Sequence, residues 1–234
     1  MALDYPKHKN ILLQILKDIF SDTTLAPHLG FKGGTAALLF YGLDRNSVDL
    51  DFDLLNPEQE DYVFERIKTI LKKYGQLKEV FKKRFNLLYI LSYDNKVVGA
   101  QNVKLEINRR NFGASYKIKT VLGISMLVMT EDDMFANKLM AMYERIGRTS
   151  RDIYDVYFFS KNNWPINKEL INARSGMPLK KLLVSCLELL DKLDNRHILD
   201  GLGELLIESQ KDWAKAKLKS DTIFLLKLAL ENEK

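Results

Sequence analysis

The sequence predicts an α/β (α+β) fold, in which a mixed sheet is flanked by helices and is followed by a helical C-terminal region. Three observations lead to this prediction. Apolar and polar residues alternate with the period of a strand over 48–54 and 103–108. Apolar residues recur at helical spacing over 10–20 and 57–75. From residue 163 onward the chain is rich in leucine at helical spacing, with no glycine-rich linker and no internal repeat.

The composition is that of an ordinary globular protein. The 234 residues are 46% hydrophobic and 29% charged, which is enough to bury a substantial core. No apolar run approaches the ~20 residues that span a bilayer, and the N-terminus has no signal-peptide pattern. We therefore expect a cytoplasmic protein with no membrane partner. The single cysteine, Cys186, excludes an internal disulfide and is expected in the core, and three scattered histidines form no zinc pattern.

The elements of the first half follow in order. Helices are predicted over 10–20, 35–41 and 57–75. Strands are predicted from Phe31 into the glycines, over 48–54, 85–93 and 103–108, and as one or two strands over 116–129 that break at Gly123. Residues 93–96 are predicted to form a turn. These elements would make up a sheet domain over residues 1–129.

The second half, residues 130–234, is predicted to be a helical domain. Thr130 and Asp133 resemble a capping box for a helix that runs to Gly147, and Thr149 or Ser150 would cap the next helix. Further helices are predicted over 179–193, 198–209 and 222–230.

Residues 32–55 concentrate the chemistry. Gly33 and Gly34 precede a short helix whose free N–H groups would point at an anion. Asp49 and Asp51 alternate with apolar residues and so share one face of a strand, about 6–7 Å apart. Carboxylates this close favour a hard cation such as Mg²⁺, which substrate phosphates complete. The pattern predicts a site for a metal-bound nucleoside triphosphate; the alternative is a helix cap followed by a strand with solvated acids.

Glu106 lies on a later strand and alternates with apolar residues, so it is predicted to face away from the core. If its strand lies beside that of the two aspartates, a third carboxylate joins the same cluster. The alternative is an exposed acid that Lys104, Arg109 and Arg110 balance.

These residues resemble the nucleotidyltransferase superfamily typified by DNA polymerase beta, in which two small residues, a short helix and Asp-x-Asp follow one another. More narrowly, G-G-T-A-A-L-L-F-Y-G and R-N-S-V-D-L-D-F resemble the AbiEii/AbiGii-type nucleotidyltransferase toxins of bacterial toxin–antitoxin and phage-abortive systems. The family pattern is G-G-T-A-L and then R-x-S-x-D-h-D-F, and the intervening segment is one residue longer here. A second block matches as well, with Lys138 in A-x-K-L-x-A and with Arg151, Asp152 and Asp155 in Arg-Asp-h-x-Asp.

The resemblance implies a polymerase-beta-like nucleotidyltransferase core over 1–129, with the helical domain closing an active cleft. It implies Mg²⁺, or alternatively Mn²⁺, held by Asp49, Asp51 and Glu106. The implied nucleotide-binding residues are Gly33, Gly34, Thr35, Arg45, Ser47 and Lys138. Asp155 would act as an acceptor-side base or would fix Lys138, whereas Asp152 would pair with Arg151 or cap its helix. The alternatives are a solvated Lys138 paired with Asp133 or Asp155, and acids that only favour a helix N-terminus. Asp53 is left out of the site, because the strand is expected to end there.

Three functions remain open. The leading one is a metal-dependent nucleotidyltransferase that moves a nucleoside monophosphate from an NTP to an RNA hydroxyl, the 3′ end of tRNA, and that an antitoxin protein restrains. The net charge of +5 is compatible with RNA, although lysine-rich genomes produce the same balance. The second function is transfer to a protein or a small molecule. The third is a nucleotide-binding module without catalysis, which the intact set of acids and Lys138 disfavours.

Overall fold

The computed structural model describes residues 4–93 and 102–233. The turn predicted at 93–96 therefore lies, apart from Tyr93, outside the described residues. The chain divides into two compact units. The first comprises the residues up to 111 together with 115–129, and the second comprises 112–114 together with the residues from 130 onward.

Within the described residues, the first unit is a seven-stranded mixed sheet with three α-helices. The helices are α1 Tyr5–Phe20, α2 Gly33–Phe40 and α3 Glu60–Leu71. The strands are β1 Leu29–Lys32, β2 Asp49–Leu54, β3 Gln76–Lys82, β4 Asn86–Ser92, β5 Asn102–Asn108, β6 Tyr116–Val121 and β7 Ile124–Met129. Their order across the sheet is β3-β4-β5-β2-β1-β7-β6. Strand β2 thus lies in the middle, antiparallel to β1 and parallel to β5.

The core of this unit follows from the alternation along β2. Leu50 and Phe52 are fully buried, and Phe52 packs against Phe31 of β1 with ring centroids 5.3 Å apart. Helix α1 buries an apolar face, as its 3.6-residue periodicity predicts. Because successive strand residues point to opposite faces, Asp49 and Asp51 are left on the other side of the sheet.

The second unit is helical in its described residues. Its helices are α4 Glu131–Arg145, α5 Arg151–Lys161, α6 Lys168–Ser175, α7 Leu179–Lys192, α8 Glu208–Trp213 and α9 Lys219–Glu231. A π-helical stretch, Ala214–Leu218, joins α8 to α9. Cys186 of α7 is buried as predicted, and burial raises the pKa of its thiol to about 12. None of the helices in the described ranges is both long and apolar enough to cross a membrane.

Much of the predicted architecture is confirmed: a mixed sheet flanked by helices and a helical C-terminal region. The helix predicted over 198–209 is wrong. That range contains one short 3₁₀ turn, Gly203–Leu205, and α8 begins only at Glu208; a second 3₁₀ turn, Asn195–His197, comes just before it. Gly201 has a φ of +65°, which a continuing α-helix does not allow, and a Cβ there would lie 2.7 Å from Thr149 Oγ1.

Two further elements, the start of one helix and one cap also differ from the prediction. Strand β3 and helix α6 were not predicted, and α1 begins earlier than expected because Asp4 caps it and Pro6 occupies its first turn. The capping box at Thr130 is wrong, since its side chain makes no capping hydrogen bond.

Candidate active site

Gly33 brings the start of α2 against Asp51. Its φ is +80°, a region that favours glycine. A Cβ at Gly33 would lie 2.9 Å from the Asp51 Cβ and closer still to the carboxylate. The register of β1 with β2 places the preceding residue, Lys32, opposite Asp51. The twin-glycine turn and the second aspartate are therefore in direct contact, and a side chain at Gly33 would displace the carboxylate.

Gly34 lies against Arg45 and Ser47. A Cβ at Gly34 would lie 2.9 Å from both Arg45 Nη2 and Ser47 Oγ. Arg45 is buried, and its Nη1 donates to the carbonyl oxygen of Asn46 at 2.8 Å. The structure thus brings a guanidinium and a hydroxyl to the N-terminus of α2, where the helix dipole also favours an anion.

Thr35 links α2 to the strand that carries the aspartates. Its side chain is buried, and its hydroxyl donates to the Asp49 carbonyl oxygen at 2.5 Å. Ser47 Oγ lies 2.9 Å from the same hydroxyl. Because this hydroxyl already bonds to β2, the group that Thr35 offers to a phosphate is its backbone N–H.

His8 is a residue of this site that the sequence analysis missed. It is fully buried, with Nε2 2.9 Å from the Val48 carbonyl oxygen and Nδ1 2.7 Å from the Tyr93 hydroxyl. The neutral tautomer with its proton on Nε2 satisfies both contacts. Burial lowers the pKa of His8 and outweighs the bond to Val48 and the charge of Asp49, which raise it. The carbonyls of two successive residues at the start of β2 are therefore held by His8 and by the Thr35 hydroxyl.

Glu106 lies directly opposite Asp51, because β2 and β5 are parallel neighbours in that register. In the same register, Lys104 lies opposite Asp49. The Lys104 Nζ is 3.1 Å from Glu106 Oε2 and 3.9 Å from Asp49 Oδ2, and Asn86 Nδ2 donates to Glu106 Oε1 at 2.6 Å. The acids of two strands thus share one face with a lysine among them.

The electrostatics of this face balance burial against charge. Burial alone would lower the pKa of Lys104, but the carboxylates of Asp51, Asp49 and Glu106 together raise it. Burial alone would likewise raise the pKa of Glu106, but the Lys104 ammonium and the bond from Asn86 lower it. Glu106 is therefore an ionised carboxylate and Lys104 a cation at neutral pH.

These carboxylates fit a divalent cation by their chemistry. Asp49, Asp51 and Glu106 offer carboxylate oxygens as metal ligands, which hard cations such as Mg²⁺ prefer. In the part of the chain that the structure describes, no three His, Cys, Asp or Glu side chains already converge as a metal-ligand group. Glu106 is engaged by Lys104 and Asn86 instead. The strands bring Asp49, Asp51 and Glu106 onto one face but do not set them as a preformed three-ligand cluster.

Asp53 lies one residue before the end of β2 at Leu54, close to where the strand was expected to end. Its carboxylate is buried and accepts from Lys32 Nζ at 2.6 Å, from Asn108 Nδ2 at 2.6 Å and from the Tyr116 hydroxyl. These donors come from β1, β5 and β6, so Asp53 links strands across the sheet.

Lys138 and Asp155 lie in the second unit, where α4 packs on α5. The Lys138 Nζ is 2.7 Å from Asp155 Oδ2 and 3.2 Å from Asp152 Oδ1. Arg145 Nη2 lies 2.7 Å from Asp152 Oδ2. Both aspartates are buried on α5, Asp152 in its first turn and Asp155 three residues further on. Their spacing of three residues places both on the face that meets α4.

The prediction for these residues is corrected in part. Asp152 pairs with Lys138 and Arg145, neither of which was expected as its partner. Lys138 is not a solvated helix residue, since 15% of its side chain is exposed. Asp155 fixes Lys138, which was one of its two expected roles.

Comparison with known proteins identifies the class. The profile of the family described as nucleotidyl transferase AbiEii toxin, type IV TA system, matches residues 14–222. The chain therefore belongs to the AbiEii nucleotidyltransferase toxin family, as the two sequence blocks indicated.

Solved structures agree with this fold. A Helicobacter pylori protein described as a candidate nucleotidyltransferase is 22% identical, with 100% of this chain and 99% of that chain covered and a TM-score of 0.62. JHP933 from Helicobacter pylori is also 22% identical, with 100% and 96% covered and a TM-score of 0.57. MenT4, a nucleotidyltransferase toxin from Mycobacterium tuberculosis H37Rv, is 17% identical, with 92% and 82% covered and a TM-score of 0.56. The predicted nucleotidyltransferase fold is confirmed.

Proposed function

We propose that the chain is an NTP- and metal-dependent nucleotidyltransferase that moves a nucleoside monophosphate to an RNA hydroxyl, the 3′ end of tRNA, and that an antitoxin protein restrains it. The observation that carries this proposal is the position of Asp51, which contacts Gly33 and lies opposite Glu106. Phosphate-binding backbone and carboxylates that suit a metal thus meet at one point of the sheet. Membership of the toxin family supports both the reaction class and the restraint by a partner.

The N-terminus of α2 would bind the triphosphate. The backbone N–H groups of Gly33, Gly34 and Thr35 point out of the first turn of the helix, where they have no intrahelical partner. Arg45 and Ser47 lie against Gly34 and would add a guanidinium and a hydroxyl to the same phosphates. The absence of a side chain at both glycines lets Asp51, Arg45 and Ser47 lie directly beside these N–H groups.

Asp49, Asp51 and Glu106 would hold Mg²⁺, with Mn²⁺ as an alternative. When bound, such an ion supplies charge neutralisation at the phosphates and lowers the pKa of the attacking hydroxyl. Lys104 holds Glu106 and Asp49 in place before the substrate binds. Because the pKa of Glu106 is lowered, this carboxylate keeps its acceptor oxygens free of a proton at neutral pH.

Lys138 would supply a cation to the α or leaving phosphate, where a point charge is effective. Asp155 and Asp152 orient its ammonium at 2.7 and 3.2 Å. Asp155 would hold Lys138 in the resting protein, and it would serve as an acceptor-side base only if Lys138 turned to the phosphates.

The test is transfer of label from a nucleotide. The protein is incubated with each α-³²P-labelled NTP in turn, with Mg²⁺ and total RNA, and the products are separated by size and by protease or ribonuclease digestion. Label in RNA is the expected result. Label in protein or in a small molecule would show that RNA is not the acceptor. If no product is labelled with any NTP, in Mg²⁺ or in Mn²⁺, the proposed enzyme activity is contradicted.

A further inference from the structure

The turn between β3 and β4 carries an exposed cluster of aromatic and cationic side chains. Phe81 and Phe85 keep 49% and 46% of their surface exposed, which buries less apolar area than a phenyl ring normally does. The guanidinium carbons of Arg84 and Arg110 lie 4.9 and 5.0 Å from the Phe85 ring centroid, and Lys83 Nζ lies 6.0 Å from the Phe81 centroid. We call these five residues the hairpin surface.

Arg109 holds the backbone of this turn in place, while Lys83 and Arg84 have no described acidic partner. Arg109 donates from its backbone N to the Phe85 carbonyl oxygen at 2.9 Å and from Nη1 to that of Lys83 at 2.7 Å. Its Nε bonds to Glu60 at 2.6 Å, so the charge of Arg109 is neutralised. Among the described residues, the structure gives neither Lys83 nor Arg84 a carboxylate partner. The hairpin surface therefore combines a fixed backbone with two cations, Lys83 and Arg84, that no described carboxylate neutralises.

The hairpin surface continues into the face of the sheet that carries Asp49, Asp51 and Glu106, which we call the carboxylate face. Asn86 follows Phe85 directly and opens strand β4. Its Nδ2 donates to Glu106 Oε1 at 2.6 Å, and its Cα pairs with Asn108 across β4 and β5. The residue next to Phe85 in the chain thus donates a hydrogen bond to Glu106, the proposed metal-binding acid.

We propose that the hairpin surface binds the single-stranded end of the RNA acceptor. The inference rests on the proposed function and names the region that presents this acceptor. Lysine and arginine side chains bind phosphates, and exposed rings and guanidinium planes stack on unpaired bases. A surface of this kind selects single strands over duplexes, because paired bases hide their faces. A purely ionic surface would need no phenyl rings, and a purely apolar one would carry no cations.

The test measures RNA binding without NTP or metal, so that its outcome does not depend on transfer. A short 5′-fluorescein-labelled single-stranded RNA is titrated by fluorescence anisotropy, with the same sequence as a blunt duplex for comparison. The charge variant is Lys83→Gln with Arg84→Gln, and the stacking variant is Phe81→Ser with Phe85→Ser. All four side chains are exposed, so the fold should survive, which circular dichroism checks. The matched control is Lys180→Gln with Lys181→Gln, an exposed lysine pair on α7.

We expect each hairpin variant to weaken single-strand binding about tenfold or more, whereas the control changes it less than about twofold. The charge variant should also reduce the slope of log K against log salt by about 1.4, and the stacking variant should leave that slope unchanged. Equal binding of duplex and single strand, or an affinity loss no larger than that of the control, would overturn the inference. If RNA binding falls as expected but no nucleotide is transferred to RNA, the proposed function fails while the RNA-binding surface stands.

Discussion

Asp51 of β2 lies in register with Glu106 of β5 in a parallel pair, so that two carboxylates from distant parts of the chain face the same side of the sheet. Neighbouring strands are about 5 Å apart, which places these acids side by side along the face. The contact of Gly33 with Asp51 then adds the helix N-terminus to the same place.

Replacement of Asp51 by asparagine should abolish nucleotide transfer. The substitution keeps the shape of the side chain but removes a metal-binding charge, and a loss of several kcal/mol of charge stabilisation lowers the rate on the order of 10³-fold or more. The measurement is incorporation of labelled nucleotide, together with a thermal melt that shows the fold is kept. Asp61→Asn is the control, since Asp61 is an exposed acid of the same unit. Transfer at the wild-type rate in Asp51→Asn would remove the metal assignment.

A side chain at Gly33 should damage the site in particular, not merely the fold. Gly33→Ala forces alanine into a positive φ, at a cost of about 1–2 kcal/mol, and also drives its Cβ into Asp51. Gly42→Ala is a matched control, because Gly42 has a φ of +72° and a Cβ there would have no described atom within 4 Å. We expect both variants to lose stability in urea, Gly33→Ala more than Gly42→Ala because of the added clash, while only Gly33→Ala loses NTP binding. Equal NTP affinity in the two variants would contradict the proposed phosphate contact.

Lys138→Met should destabilise the second unit. The change leaves the buried carboxylates of Asp152 and Asp155 without their shared ammonium, and breaking a buried ion pair in this way costs about 3–5 kcal/mol. Urea unfolding measures the loss, and adding Asp155→Asn to Lys138→Met should recover part of it. Lys138→Arg separates the two roles, because it keeps the charge. Weaker NTP binding by the folded Lys138→Met/Asp155→Asn protein, with binding kept in Lys138→Arg, supports the phosphate contact, and unchanged NTP binding by the double variant counts against it.

His8 should make the first unit sensitive to acid. Its pKa in the folded chain is lowered from 6.5, so the unfolded chain takes up a proton first as the pH falls. The stability that neutral His8 contributes is therefore complete above about pH 6.5 and is lost as the pH falls towards the folded-state pKa. Melting temperatures at pH 7.5 and 5.5 should differ more in the wild type than in His8→Gln. The same pH dependence in both proteins would show that other groups cause it.

The local elements of the site follow from sequence periodicity, but their partners do not. Alternation along β2 was enough to place Asp49 and Asp51 on one face, since a strand has only two faces. The sequence alone could not show that β5 lies beside β2, because parallel pairing joins segments that are far apart along the chain. The contacts of Asp53 were not predicted, because its partners on β1, β5 and β6 are all long-range.

The failures have local physical causes as well. Strand β3 lies at the sheet edge and is mostly exposed, so it lacks the apolar alternation that marks a strand. Residues 198–209 have leucine at helical spacing, yet Gly201 with its positive φ interrupts the helix. His8 gave no signal, because a lone histidine between Lys7 and Lys9 shows neither its burial nor the carbonyl that it binds.

Lys104 acts as a built-in counterion for the carboxylate face. Its ammonium offsets part of the negative charge of these acids, so a newly made chain can fold before it takes up an ion. Removal of Mg²⁺ with a chelator should therefore stop nucleotide transfer while the protein stays folded, because Lys104 contacts Glu106 and Asp49 whether or not the ion is bound.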